Sequence, residues 1–437
     1  MAESDTIFAL ATPPGRSALA VFRISGPSSR SVLDQLTHGK ASPPRVASLR
    51  SLYDPVSDAK LDDAVVTLFA APSSYTGEDL LEISCHGGRG VISAVSAALS
   101  KMSGVRPATP GEFTRRAYLA GKFDLSQAEA IADLIDSETE FQRRQALRLL
   151  DGGLGRLAEG WRTRLLEISA QLESALDFSD EGDVSSLNSA TLLHDSSVLR
   201  DEIARQLAMG QRSLKVLDGF TVVIAGPPNV GKSTLFNRIA GSDLAIVSEH
   251  AGTTRDLVRV NLDLDGVPVT LIDSAGIRDS DDPVERIGID RARSAAAAAD
   301  LVLTLLTEGV SPEAVPVVEA SLPVWSKADL TRPPDGMIAI SENDSDSISS
   351  LLGHIRELAL STVGDGSQGL LTRQRHVSAM SEALDALARF EDQLRLGNLE
   401  LAAEECRLVN ARLDDLAGGF ETEELLGSIF QRFCIGK

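Results

Sequence analysis

The stretch Phe220–Asn237 constrains the fold of this chain more than any other. Its first half, Phe220-Thr-Val-Val-Ile-Ala225, is the β-branched apolar run expected of a strand buried in a parallel sheet. Its second half, Gly226 to Ser233, fits G-x-x-x-x-G-K-[ST], and an amphipathic helix marked by Leu235, Phe236 and Ile239 follows. Strand, glycine-rich turn and helix in that order wrap main-chain N–H groups around a phosphate chain at a helix N-terminus. Asn229, Val230, Gly231, Lys232, Ser233 and Thr234 are therefore the expected phosphate-binding residues. Lys232 would reach the outer phosphates, leaving the Ser233 hydroxyl for Mg²⁺. A glycine-rich turn without function leaves the Lys-Ser pair at the helix start unexplained.

Four features downstream separate GTP from ATP. Alternating Val258, Val260, Leu262 and Leu264, then Asp265-Gly266, then alternating Val267, Val269 and Leu271 read as an antiparallel hairpin. The hairpin ends in Asp273-Ser274-Ala275-Gly276, where the carboxylate can orient a Mg²⁺ shell and the glycine N–H can meet the γ-phosphate. Before it, Gly252-Thr253-Thr254 offers a hydroxyl able to close on Mg²⁺ when triphosphate is bound. Farther on, Ser326-Lys327-Ala328-Asp329 follows a strand, and the Asp329 carboxylate can accept from two purine N–H donors that adenine lacks. Each signal is short, but their order and spacing together select GTP. Ile277 stands where many GTPases place the glutamine that positions water, and an apolar side chain cannot do that. Glu285, among Asp279, Asp281, Asp282 and Arg286, is one substitute; a solvated acidic loop is the plainer reading.

A chain of 437 residues has room for roughly three domains of about 150 each. The formal charge of −21 argues against a broad nucleic-acid-coating surface, while leaving room for a local basic patch. Three cysteines without metal-ligand spacing suit a reducing compartment. Met1-Ala-Glu-Ser-Asp5 leads no apolar segment, and no run approaches the length that spans a bilayer, so a soluble cytoplasmic protein is expected. Thr6–Thr12, Ala18–Ile24, Leu61–Ala70 and Leu80–Cys85 read as strands, and Gly90–Met102 as a helix. His86-Gly87-Gly88 is either a ligand-approach turn or a bare strand-to-helix turn. Helices are expected over Gln127–Leu150, Leu154–Phe178, about Ser189–Leu217 and within Arg373–Phe433, the two helical blocks forming one bundle around an inserted nucleotide module.

Gly226-Pro-Pro-Asn-Val-Gly-Lys-Ser233 with Gly252-Thr-Thr-Arg-Asp256 resembles the TrmE–Era class of GTPases. Three distant stretches sharpen this: Ala11-Thr-Pro-Pro-Gly-Arg16 with Arg23-Ile-Ser-Gly26, Gly111-Glu-Phe-Thr-Arg-Arg-Ala117 leading into Leu125–Ile135, and terminal Phe433-Cys-Ile-Gly-Lys437. Together they look like the MnmE (TrmE) family of tRNA-modification GTPases, over essentially the whole chain. The resemblance implies a multidomain α+β and α/β protein. A folate-binding, dimerising α+β domain would span 1–120, a discontinuous helical bundle 121–217 and 363–437, and an inserted Ras-like P-loop GTPase domain 218–362. It implies a homodimer and a heterotetrameric or larger complex with FAD-dependent MnmG (GidA), FAD being held by the partner only. Together these would build the aminomethyl or carboxymethylaminomethyl group on carbon 5 of the tRNA wobble uridine, with a 5-formyl- or methylene-tetrahydrofolate one-carbon unit.

By that resemblance Arg23, Glu82, Lys122 and Lys437 belong to the folate site, and Ser233 and Thr254 to Mg²⁺. Asn229 resembles a K⁺ ligand, helped by Ser248, His250 and Thr253, with Glu249 and Ala251 in the same nucleotide-facing loop. Glu285 matches the residue that orients the attacking water, and Cys434 the terminal cysteine tied to modification. Two departures stand out. Ser326 replaces the usual asparagine of the base-reading motif, losing an amide that bridges base and phosphate loop, and Ser341-Glu342-Asn343 replaces the usual last guanine-loop motif. A GTPase switch binding ribosomal RNA is the main alternative, opposed by the acidic charge and the lack of a basic tail. A folate-dependent transferase with a vestigial GTPase is another, opposed by intact Lys232, Ser233 and Asp273.

Overall fold

The computed structural model describes residues 5–40, 42–177, 189–246, 258–273, 294–309, 320–341, 343–364, 369–418, 423–431 and 433–436. They form two compact units, Met1–Ala132 with Ala417–Lys437, and Asp133–Leu416.

The first unit is built on a six-stranded sheet ordered β3-β4-β5-β2-β1-β6, comprising β1 (Thr6–Leu10), β2 (Leu19–Ser25), β3 (Ser48–Tyr53), β4 (Lys60–Phe69), β5 (Leu80–His86) and β6 (Val105–Pro107). All neighbours are antiparallel except β1 and β6. Strict alternation decides its two faces. Ala20, Phe22 and Ile24 of β2 and Leu81, Ile83 and Cys85 of β5 enter the core, which helices α1 (Ser29–Leu36) and α2 (Arg89–Ser100) complete with Val32, Leu36, Val95 and Leu99. Arg23 and Glu82 are thereby on the other face, directly opposite each other across the β2–β5 pairing. The same unit holds α3 (Glu112–Leu119), α4 (Leu125–Asp136) as far as Ala132, and the carboxy-terminal residues, with Leu125, Ala128, Leu426, Phe430 and Phe433 in one small core. β3, β6, α1 and α3 were not anticipated from sequence. β3 is an edge strand of mixed polarity, and β6 has only three residues.

The second unit carries a seven-stranded sheet, β13-β12-β11-β7-β10-β9-β8. The strands are β7 (Phe220–Ala225), β8 (Ala245–Ile246), β9 (Val258–Leu264), β10 (Val267–Asp273), β11 (Leu301–Leu306), β12 (Ser321–Trp325) and β13 (Ile338–Ala339). β7 is parallel to both β10 and β11, and every residue of β11 is buried, as in a parallel sheet covered on both faces. The β9–β10 hairpin closes at Asp265-Gly266, both with positive φ (54° and 92°), as the Asp-Gly signal requires.

The expected single helix Gln127–Leu150 is in fact two, α4 and α5 (Glu140–Leu150). Thr139 accepts from the Gln142 N–H while the Gln142 side chain reaches back, a capping box that starts a new helix. Next come α6 (Gly153–Asp177), α7 (Ser189–Asp218), α8 (Lys232–Ala240) and α9 (Ser345–Val363). The block Arg373–Phe433 likewise divides, into α10 (Gln374–Leu396), α11 (Leu399–Ala417) and α12 (Glu423–Phe430). The helical stretches before and after the nucleotide module meet within the second unit. Arg200 of α7 pairs with buried Glu391 of α10 at 2.6 Å, and Arg162 of α6 with Asp414 of α11 at 3.3 Å. No helix among the described residues is long and apolar enough to cross a membrane.

Candidate functional site

β7 delivers the chain to the glycine-rich turn at its carboxyl end, where open parallel sheets place their ligands. Gly226 has φ 148°, and a Cβ there would stand 2.7 Å from the Leu305 carbonyl oxygen, so only glycine fits between this turn and β11. Gly231 (φ 99°) then starts α8. Lys232 folds back over its own loop, donating to the carbonyls of Gly226 (2.7 Å) and Pro227 (2.8 Å). Burial lowers its pKa and the Asp273 carboxylate partly offsets that. An arriving phosphate would replace two neutral acceptors with charged ones, a stronger partnership for an ammonium. Ser233 and Thr234 are exposed in the first turn of α8, and Asp273 is buried at the end of β10. A hydroxyl and a carboxylate suit a hard cation that takes further ligands from phosphate oxygens.

The base-reading turn follows β12. Val230, Gly231, Thr234, Leu235, Arg238, Ser326, Lys327, Ile340, Ser341 and Ile348 line a shallow cleft between this turn and α8. The Ala328 N–H donates to Ile340 and the Ile340 N–H to Trp325, so β13 braces the turn. Asp329 is exposed, open to a ligand base. The bridge between base turn and phosphate loop, expected to be lost with the missing asparagine, is present: the Ser326 hydroxyl donates to the Val230 carbonyl at 2.7 Å. Ser341 is buried, its Oγ accepting from the Asn343 N–H at 3.3 Å. Arg238, Leu235, Ile340 and Ile348 were not foreseen as cleft residues; the i, i+4 relation of Arg238 to Thr234 along α8 was the available signal.

Ser248, Glu249, His250, Ala251, Gly252, Thr253 and Thr254 lie outside the described residues, as do Ser274, Ala275, Gly276, Glu285, Glu342 and Lys437.

In the first unit the structure brings Arg23 and Glu82 together as an ion pair, Nε to Oε1 at 2.9 Å. The Arg23 guanidinium lies 5.4 Å from the Tyr75 ring centroid and 3.5 Å from the Gly436 carbonyl. Tyr75 contacts Phe123 at 5.6 Å and shares a hydrogen bond with Thr114. Lys122 donates to the Pro72 carbonyl at 2.5 Å. Cys434 is exposed, its carbonyl 3.5 Å from the Gly111 N–H. A Cβ at Gly436 would stand 2.7 Å from the Leu10 carbonyl, so glycine at this position lets the tail lie against the end of β1. Tyr75 had no sequence signal as a neighbour of Arg23, whereas Phe123 and Gly436 adjoin Lys122 and Lys437, which the resemblance had grouped with it. At His86-Gly87-Gly88, His86 bonds Asp62 at 2.8 Å and a Cβ at Gly87 would run into Ser17. Packing therefore explains that turn without a ligand.

A family model described as the MnmE helical domain matches residues 125–434, and one described as the GTP-binding protein TrmE N-terminus matches 6–122. The chain is 46% identical over 463 residues to the tRNA modification GTPase MnmE of Rhodopseudomonas palustris (strain BisB5), covering 99% of both. It is 45% identical over 441 residues to that of Parvibaculum lavamentivorans, covering 99% of this chain and 100% of the relative. Among solved structures, a point variant of Aquifex aeolicus Era bound to GDP·AlF4⁻ is 22% identical over 38% of this chain and 66% of that one, at a TM-score of 0.27. Family models across nearly the whole sequence and full-length relatives agree: the chain belongs to the MnmE family of tRNA modification GTPases.

Proposed function

We propose that this chain hydrolyses GTP and couples its turnover to building an aminomethyl or carboxymethylaminomethyl group on carbon 5 of the wobble uridine (position 34) of certain tRNAs. The observation that carries the GTP half is the loop from Gly226 to Ser233, closed over by Lys232 at the carboxyl end of β7, which lies between two parallel neighbours. Asp329 selects guanine by accepting from its two N–H donors, and Lys327 flanks the base. Mg²⁺ is held by Ser233 and Thr254, oxygen donors appropriate to it. Asn229, exposed in the phosphate loop, offers a neutral amide oxygen to K⁺, with Ser248, His250 and Thr253 completing the set. Held by these residues, K⁺ would supply positive charge to the nucleotide phosphates, the kind of charge an arginine finger gives in other GTPases. Glu285, by its match to the family's residue, orients the attacking water, a role apolar Ile277 cannot take.

Arg23, Glu82, Lys122 and Lys437 bind a 5-formyl- or methylene-tetrahydrofolate, and the exposed Cys434 thiol serves the modification step. The working form is a cytoplasmic homodimer with an FAD-bearing MnmG partner in a heterotetrameric or larger assembly, acting on tRNA. The test is complementation of a deletion strain lacking the family's enzyme, with mass spectrometry of wobble uridines, and GTP turnover of the purified chain in K⁺ and Na⁺ at matched ionic strength. Restored modified uridine and K⁺-stimulated turnover are expected. Unmodified uridine would defeat the tRNA reading, and equal rates in the two salts would defeat the cation mechanism.

A further inference from the structure

The tip of the β9–β10 hairpin rests on α5, a helix that precedes the nucleotide module in the chain. α5 starts at its Thr139 cap, where the Gln142 side chain closes the capping box and also donates to the Leu217 carbonyl at 3.3 Å, tying the start of α5 to the end of α7. The first amides of a helix find no partner within it. One of them, the Phe141 N–H, donates to the Gly266 carbonyl at 3.3 Å, so the hairpin tip completes the cap of α5. The Phe141 ring packs against the core of the nucleotide module. A Cβ at Gly266 would stand 2.8 Å from that ring, so glycine serves the turn and this seat together. Farther along β9, Asn261 accepts from the Thr270 hydroxyl at 3.2 Å, which leaves its amide group to donate to Glu138 Oε2 at 2.8 Å.

On the module's side the seat is stiff. Arg356 of α9 holds Asp265 at 3.0 Å. β10 is paired with β9 along its whole length and with β7 from Val269 to Asp273, so it cannot slide by itself. Gly266 and Asp273 stand at its two ends, roughly 20 Å apart at the rise of a strand. A displacement at the Asp273 end therefore reaches α5 through a rod that does not absorb it. We propose that this seat is the joint through which nucleotide turnover does work on the helical block. It can part and re-form: Glu138 is exposed, its bond to Asn261 is open to water, and α5 loses the partner of one amide whenever the tip leaves. The proposal rests on the reading of GTP turnover coupled to tRNA modification and deepens it by naming the contact that carries the coupling.

The experiment reads the full-length chain twice, by wobble-uridine modification in the deletion strain and by GTP turnover of the purified protein. Asn261→Asp sets a second carboxylate against Glu138, and modification should fall about tenfold while GTP turnover stays within about threefold of the parent chain. Adding Glu138→Gln gives the new carboxylate a donor and should restore modification. Phe141→Ala, which removes the apolar part of the seat, should uncouple in the same way. Full modification in both Asn261→Asp and Phe141→Ala would overturn the proposal. So would a parallel loss of GTP turnover in folded Asn261→Asp, which would make the seat a support of the nucleotide site alone. Failure of Glu138→Gln to restore modification would overturn it too. Should Asn261→Asp not fold, Glu138→Ala at its exposed position carries the test: modification should drop about threefold, the scale of one solvent-exposed hydrogen bond, and no drop would defeat the joint. Absence of modified uridine with the parent chain would instead sink the proposed function, and this inference with it.

Discussion

The two regions proposed to hold small molecules are built on opposite plans. At the phosphate loop the binding groups are main-chain amides, oriented by Gly226, by Gly231 and by side chains reaching from the base turn. The loop's own lysine, Lys232, is parked on neutral carbonyls. On the open face of the first unit's sheet the binding groups are side chains, and they already satisfy one another: Arg23 on Glu82 at 2.9 Å, Lys122 on the Pro72 carbonyl. A phosphate reaching the loop exchanges weak acceptors for strong ones. A bare anion reaching Arg23 must compete with a carboxylate that is in place. The second face therefore favours a ligand that serves both partners at once, giving an acceptor to Arg23 and N–H donors to Glu82, as a pterin with a glutamate tail does.

That contrast breaks first at Lys232. Lys232→Ala should lower kcat/KM for GTP about 10³-fold, since the loop keeps its amides but loses the charge that meets the outer phosphates. Phosphate release under single-turnover conditions reads it. A loss below tenfold would mean the loop is no phosphate site, and the two regions would no longer differ in kind.

The same contrast governs what sequence could disclose. The hairpin and the phosphate loop were legible because their signals are local: Asp265-Gly266 dictates the turn, and Gly226 to Ser233 the cradle. The break between α4 and α5 was written in Thr139 and Gln142, three residues apart, yet the apolar periodicity ran across it and hid it. The Ser326 bridge was not legible, because it joins loops 96 residues apart and depends on a hydroxyl reaching one carbonyl. The Arg23–Glu82 pair also needed the sheet order, since the partners are separated by 59 residues and meet only through the β2–β5 register.

The next effect in size separates ion pairs that hold the fold from pairs that await a ligand. Glu112 is 3% exposed and accepts from Arg106 at 2.6 and 2.9 Å, from Arg116 at 3.0 Å and from the Thr109 N–H at 2.8 Å. Burial pushes its carboxyl up, but those bonds outweigh burial and hold it at about 2, below its usual 4.5. A folded-state pKa below the unfolded one adds stability at pH above about 4.5, and that stability is lost as pH falls toward 2. It amounts to about 3 kcal/mol. Glu112→Gln should cost about that much at pH 7 and flatten the acid limb of stability between about pH 5 and 2. Denaturant melts across that range measure both, and an unchanged acid limb would remove Glu112 from the network.

The smallest effect on folding, and the sharpest comparison, is Glu82→Ala. The Arg23 and Glu82 side chains are 19% and 29% exposed, so solvent screens the pair, and its removal should cost no more than about 1 kcal/mol of stability. Arg23 keeps the Tyr75 ring beside it, which limits its freedom to move away. If the pair is held ready for a pterin, affinity for 5-formyl-tetrahydrofolate should nevertheless fall about tenfold or more, because ligand N–H donors would be desolvated with no acceptor to meet them. Calorimetry with the folate and thermal melts on the same preparation give the two numbers. The opposite pattern, full folate affinity with a stability loss like that of Glu112→Gln, would make Arg23–Glu82 a second structural clasp of the sheet and move the folate site elsewhere.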